Sequence, residues 1–189
     1  MTIDEIKRKL ESVLSPKRFE HSLGVMDTAV NLAEKYGGNV EKAALAGILH
    51  DCAREIEGQA MFELCKKYHI NVDYITLAQP ELLHGPVGAV IAAEEYGIED
   101  EDVLKAIECH TTGRENMTLL DKIIFIADYI EPGRKFPGVE EVRELAYRDL
   151  NRSILLSLDN TIRYVMNKGA FIHPDTILAR NFIIKESRS

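Results

Sequence analysis

Residues Ala43 to Glu55 read AALAGILHDCARE, an apolar run that closes on the adjacent pair His50 and Asp51. Nothing from Ala43 to Leu49 carries a charge, so the run has the composition of a buried helix, and the pair is expected where that helix opens toward a cleft. A histidine beside an aspartate in such a place is a candidate metal-binding corner. A buried histidine that only hydrogen-bonds its neighbour satisfies the same pattern, so the choice falls to the rest of the chain.

Upstream, Asn39 is placed to N-cap this helix, and Gly37-Gly38 close the one before it. That earlier helix opens at Ser15-Pro16, an N-cap followed by a first-turn proline, runs through Phe19, Leu23, Met26, Val30 and Leu32, and carries His21. Before it, Thr2 and Glu5 form a capping box for a short amphipathic helix with Ile3, Ile6, Leu10, Val13 and Leu14 on one face. Downstream, Arg54-Glu55 follow the pair, either orienting water and a histidine or forming an exposed ion pair. Gly58 to Tyr68 reads as a further amphipathic helix, with His69 as a surface residue beside it, and Ile70 to Pro80 as a loop with a helical turn around Tyr74 to Ala78.

His84 precedes a Gly85-Pro86 break and a helix from Val87 to Tyr96 that Gly97 ends, which places it at a helix N-terminus where anions are favoured. Acidic residues Glu99 to Asp102 open the helix Val103 to Cys109, and His110-Thr111-Thr112-Gly113 follow it. Thr118 caps a long helix from Leu119 to Ile130 that is apolar on most sides yet contains Asp128, costly there unless paired or metal-bound. Pro132-Gly133 stop that helix, and the basic loop Arg134-Lys135-Phe136-Pro137-Gly138 leads to helices over Val139 to Leu150, Ser153 to Asn167 and Asp175 to Ile184. No period-two alternation or hairpin turn persists, so the reading is all-α, one domain over residues 1–189, with fraying expected from Glu186 to Ser189.

The chain has 189 residues, long enough for one well-buried core, with 46% hydrophobic and 29% charged residues. No apolar run approaches the roughly 20 residues of a membrane span, and the start, MTIDEIKRKLESVL, lacks the apolar segment of a secretory signal. A soluble, cytoplasmic protein without membrane partners is expected. Thirty-one acidic against twenty-three basic residues give a net charge of -8, which argues against nucleic acid as partner. Cys52, Cys65 and Cys109 have no CxxC spacing and suit a reducing compartment; Cys52 and Cys109 read as small buried neighbours of a site rather than as nucleophiles or thiolate ligands. Whether an apolar helix faces a second copy in a homodimer is left open.

His21, His50, Asp51, His84, His110 and Asp128 fall on five different expected helices or helix ends, each beside an apolar stretch. Six ligands exceed the about four one metal takes, whereas two divalent ions sharing a bridging carboxylate would use them all; Asp51, next to His50, is the natural bridge. Imidazole and carboxylate without thiolate suit iron, manganese or zinc, and argue against magnesium, which prefers oxygen. Paired ions about 3.5–4 Å apart serve displacement at phosphorus, so hydrolysis of a phosphate ester or anhydride is the expected reaction class. Arg134 and Lys135 are candidates for phosphate charge, and Thr111-Thr112-Gly113 for hydroxyl and backbone N–H donors, with a solvated loop and a plain helix C-cap as the other readings.

His21, the His50-Asp51 pair, LLHGP at His84, HTTG at His110 and DKIIFIADYIEPGR around Asp128 resemble the HD-domain metal-dependent phosphohydrolases, and more narrowly their symmetrical diadenosine tetraphosphate hydrolase branch. The resemblance extends from about Ser15 to Asn181 and includes GAFIHPDTILARN. It implies a helical HD bundle with a dinuclear centre, probed first as iron, and cleavage of a dinucleoside polyphosphate, diadenosine tetraphosphate, into two ADP by water held between the ions. On that basis His21, His50, Asp51 and Asp128 would hold one ion, and Asp51, His84 and His110, the candidate catalytic residues, the other. Arg134, Thr111, Thr112 and His21 would face phosphate, and Phe171, Ile172 and His173 would border a nucleoside, the first two being equally readable as core. A nucleotidase or phosphodiesterase for another nucleotide, a sensor without turnover, and purely structural histidines are the competing readings.

Overall fold

In the computed structural model, which describes residues 1–188, the apolar periodicities become eleven α-helices and one short 3-10 helix, with no strand among the described residues. They are α1 (Ile3–Val13), α2 (Pro16–Tyr36), α3 (Val40–Leu49), α4 (Gly58–Lys67), α5 (Tyr74–Ala78), the 3-10 turn Pro80–Leu83, α6 (His84–Tyr96), α7 (Glu101–Cys109), α8 (Leu119–Ile130), α9 (Val139–Ala146), α10 (Leu150–Asn167) and α11 (Pro174–Glu186). The expected fraying from Glu186 reaches Ser189, which lies outside the described residues.

The local signals act where they were read. Thr2 and Thr118 form complete capping boxes with Glu5 and Asp121. Ser15 and Asn39 accept from the N–H groups of Arg18 and Lys42, satisfying donors that have no partner inside α2 and α3. The start of α6, the end of α9 and the start of α10 differ from expectation by three or four residues, and other boundaries by one or two. Gly85-Pro86 does not break the chain: α6 begins at His84 itself, and proline is tolerated in the first turn because its missing N–H would have been unpaired there. The helix expected from Val139 to Leu150 ends at Ala146, because Asp149 turns to extended backbone and caps a new helix by accepting from Arg152 N–H.

The helices that frame the centre of the molecule are α2, α3, α7 and α8, each packed on at least two of the others, with α6 laid along α7. Two glycines set how closely they cross. A Cβ on Gly47 of α3 would fall 2.8 Å from Met26 Cα of α2, and one on Gly85 of α6 would fall 2.5 Å from the Glu108 carbonyl oxygen of α7. Only a residue without a side chain lets these backbones approach so far. The first crossing brings His50 against His21, and the second brings His84 against His110. Around them Leu32, Ile48, Leu49, Ile107, Ile123, Ile124 and Ile126 are fully buried and fix the helix positions.

Candidate metal centre

All six candidate ligands meet in one place at the middle of the bundle. His21 projects from α2, His50 and Asp51 follow α3, His84 opens α6, His110 follows α7, and Asp128 lies in the last turns of α8. The two carboxylate oxygens of Asp51 face different partners. Its Oδ2 lies 3.5 Å from His21 Nε2 and 3.3 Å from His50 Nε2, while Oδ1 lies 3.2 Å from His84 Nε2 and 3.8 Å from His110 Nε2. Asp128 Oδ1 joins the first set, 3.0 Å from His21 Nε2 and 3.7 Å from His50 Nε2.

The imidazole protons are assigned by what the other ring nitrogens touch. His50, His84 and His110 each point Nδ1 at a backbone carbonyl, of Gly47 (2.7 Å), Glu81 and Ile107 (2.7 Å), and His21 Nδ1 lies 3.1 Å from a carboxylate oxygen of Glu131. Carbonyls and carboxylates only accept, so the proton belongs on Nδ1 in all four rings and every Nε2 offers a bare lone pair inward. His21 and His50 then oppose two lone pairs at 3.2 Å, and His84 and His110 do the same at 3.0 Å. Facing acceptors of this kind are stable with a cation between them. The donor set therefore fits divalent metal binding at two positions, with the carbonyls and Glu131 orienting the ligands from behind.

The electrostatics agree. Burial opposes charge on Asp51, but His50, His84 and His110 hold its carboxyl well below the usual carboxylate range. Burial also opposes charge on Asp128, which His21, His50 and Arg134 keep ionised. His110 is driven the other way, its imidazolium pushed down to about 3 by burial and by His84 and His50, so it stays neutral.

Two clefts approach the centre. One, of about 560 Å³, includes Thr111, Thr112, Arg114 and His173; the other, of about 670 Å³, includes Arg18, His21, Arg134 and Lys135. Thr111 Oγ1 lies 3.2 Å from His84 Nε2 and 3.1 Å from His110 Nε2, so its hydroxyl enters the centre. Thr112 instead donates to the Gly113 carbonyl, and Gly113, at φ +69°, gives its N–H to Cys109 as a helix C-cap. Arg134 is no free loop residue: Nε donates to the Asp128 carbonyl at 2.8 Å and Nη2 to its carboxylate.

Other expected residues take up plainer positions. His173 caps α11 by accepting from Asp175 N–H. Phe171 is half exposed rather than core, and Ile172 is partly buried. Glu55 accepts from the backbone and hydroxyl of Ser15 and so supports the start of α2; among the described residues it makes no ion pair with Arg54. Cys52 and Cys109 are buried, burial pushes the Cys109 thiol up to about 12, and no cysteine joins a ligand group among the described residues.

Sequence reasoning passed over two residues that contact the ligands. Arg18 Nη1 lies 2.6 Å from Asp51 Oδ2; its signal was the spacing of three from His21, which places both on one face of α2. Glu131 is buried, accepts from Gly133 N–H, and stands three residues after Asp128 within the motif already quoted.

Residues 18–133 match the model of the HD domain, and the chain belongs to the HD domain family. It is 49% identical over 175 residues, 93% of each chain, to a protein of Halalkalibacterium halodurans named bis(5'-nucleosyl)-tetraphosphatase, symmetrical. It is 42% identical to the Bacillus subtilis protein of the same name, covering 99% of this chain and 100% of that one. A crystal structure from Clostridium acetobutylicum, described as that of a predicted HD superfamily hydrolase involved in NAD metabolism, superposes with a TM-score of 0.95 at 50% identity, covering 98% of both chains. No helix among the described residues is long and apolar enough to cross a membrane.

Proposed function

We propose that this chain, acting as one domain, is a symmetrical bis(5'-nucleosyl)-tetraphosphatase that hydrolyses diadenosine tetraphosphate to two ADP. The observation that carries the reading is Asp51, whose two oxygens divide between the His21–His50–Asp128 set and the His84–His110 set. Two divalent ions so held would supply a nucleophilic water near neutral pH and neutralise charge on the phosphoryl oxygens at which the bond breaks. The names of the relatives identical at 42–49% supply the substrate.

The chain's own groups do the rest. The backbone carbonyls of Gly47, Glu81 and Ile107 keep three imidazoles in the Nδ1–H form, and Glu131 does so for His21. Arg18 holds Asp51 Oδ2 with one arm of its guanidinium, and Arg134 holds the Asp128 carboxylate with Nη2 and the Asp128 carbonyl with Nε, which leaves their remaining N–H groups for phosphate oxygens in the larger cleft. The Thr111 hydroxyl, beside two Nε2 atoms, hydrogen-bonds a phosphate oxygen on the other side. One water is consumed: its oxygen adds to a central phosphorus, the central P–O–P bond breaks, and its protons leave with the two ADP products.

Iron is the ion this donor set suits first, with manganese and zinc as the other candidates. The test is hydrolysis of diadenosine tetraphosphate by metal-reconstituted protein with separation of the products. ADP as sole product, lost with chelator and in Asp51→Ala, is expected. ATP with AMP refutes the symmetrical cut, and turnover of mononucleotides alone refutes the substrate.

A further inference from the structure

The last turn of α8 ends with carbonyls that the helix itself cannot satisfy. The Asp128 carbonyl would need the N–H of residue 132, which is proline and has none. The Ile130 carbonyl would need Arg134 N–H, but Glu131 leaves the helix at ψ 154° and its own carbonyl takes that donor at 2.9 Å. Two arginines supply what is missing. Arg134 Nε donates to the Asp128 carbonyl at 2.8 Å. Arg143, one turn into α9, donates from Nε to the Ile130 carbonyl at 2.8 Å and from Nη2 to the carbonyls of Glu131 at 3.0 Å and Arg134 at 3.2 Å. Its Nη1 is held by Glu140 on its own helix, and the side chain is only 23% exposed.

The turn over residues 131–134 is thus closed by its own Glu131–Arg134 bond and clamped at both ends by one guanidinium. Its two charged side chains both serve the same half of the metal centre. Glu131 stands 3.1 Å from His21 Nδ1, and Arg134 holds the Asp128 carboxylate. Arg143 itself bonds none of the six candidate ligands among the described residues, and the His84–His110 half is presented by α6 and α7, which it does not reach. We propose that Arg143 is a positioning residue for the His21–His50–Asp128 half of the centre, acting through the backbone of the turn. Arginine is required by the geometry: a planar fork with five N–H donors serves three carbonyls and a carboxylate together, whereas an ammonium offers three donors from one point. A cation at the C-terminus of α8 is favoured by the helix dipole as well. In the sequence Arg143 stands three residues after Glu140, the spacing of an ordinary surface ion pair, and only the packing of α9 on α8 turns it toward the centre. The inference rests on the metal centre of the proposed tetraphosphatase and deepens that reading.

The experiment is a titration of metal-free protein with divalent manganese, resolved into two steps by equilibrium dialysis. Gly85→Val, which disturbs the α6–α7 crossing, identifies the step that belongs to His84 and His110. Arg143→Ala is expected to weaken the other step by roughly tenfold and to leave this one in place. In a Glu131→Ala background the same replacement costs less than it does in the unaltered protein, because part of its effect passes through Glu131. Arg143→Lys keeps the charge without the fork and weakens the same step; full affinity in that variant would overturn the clamp, and it carries the comparison if Arg143→Ala fails to give native helical circular dichroism. Thr118→Ala, which weakens the far end of α8, moves neither step, and so separates positioning from loss of stability. Equal weakening of both steps by Arg143→Ala, weakening of neither, or full additivity with Glu131→Ala overturns the proposal. The titrations need no turnover, so the wrong products or no hydrolysis of diadenosine tetraphosphate would refute the tetraphosphatase reading and leave the role of Arg143 standing.

Discussion

Glu131 illustrates how much of the centre depends on groups that touch no metal. Its buried carboxylate accepts from His21 Nδ1–H and from Gly133 N–H, and Cβ atoms on Gly24 or Gly133 would fall within 3 Å of it, so neither the acid nor the imidazole has room to turn. Replacing Glu131 with Ala is expected to weaken the ion at the His21–His50–Asp128 set by roughly 10–100-fold while leaving the His84–His110 set near its original affinity. A metal titration resolved into two steps checks this; equal weakening of both steps would refute it. Protonation divides the two sets in the same direction. Burial works against charge on His50, but the Asp51 and Asp128 carboxylates outweigh it and hold the imidazolium above its ordinary value, whereas His110 resists protonation down to about 3. As pH falls, protons therefore compete for His50 and not for His110, and affinity at the first set falls with it. On dialysis from pH 7 toward 5 the ion held by His50 is expected to leave first, as metal analysis of the retained protein would show.

Among the helices, α8 and the α6–α7 crossing are the most consequential. α8 carries Asp128 on an otherwise buried helix, and its start depends on the Thr118–Asp121 capping box. Thr118→Ala is expected to lower the unfolding free energy by about 1 kcal/mol, read from the midpoint of urea unfolding, without changing the reaction. Gly85→Val acts differently. The side chain would strike the Glu108 carbonyl, a backbone atom that cannot move aside alone, and would lever His84 away from His110. The expected outcome is a folded helical protein that has lost the ion between these two histidines, visible as one metal bound instead of two.

For the whole molecule, metal binding at the centre is expected to couple to conformational stability. Four imidazoles and two ionised carboxylates converge in the interior, and in the absence of an ion their lone pairs face one another. An ion at 100 times its dissociation constant adds about 2.7 kcal/mol to the unfolding free energy. For a chain of 189 residues that corresponds to roughly 5–10 °C in Tm. Thermal unfolding with metal and with chelator measures it, and identical curves would contradict the centre described here. The charge distribution also belongs to this level: in a chain of net charge -8 the larger cleft gathers Lys17, Arg18, Arg134 and Lys135.

Helix positions could be read from the chain because their causes are local. Caps at Thr2, Ser15, Asn39 and Thr118 lie within three residues of the groups they satisfy, and the candidate ligands stood out as polar residues beside apolar runs. The break at Asp149 was missed because the apolar period continues across it, and α6 was read three residues short because Gly85-Pro86 has the sequence of a turn. The division of Asp51 between two histidine sets and Arg18 on its carboxylate have no such local cause. They arise where segments far apart in the chain cross at distances set by Gly47 and Gly85, and where a side chain ends up depends on packing that neighbouring residues do not encode.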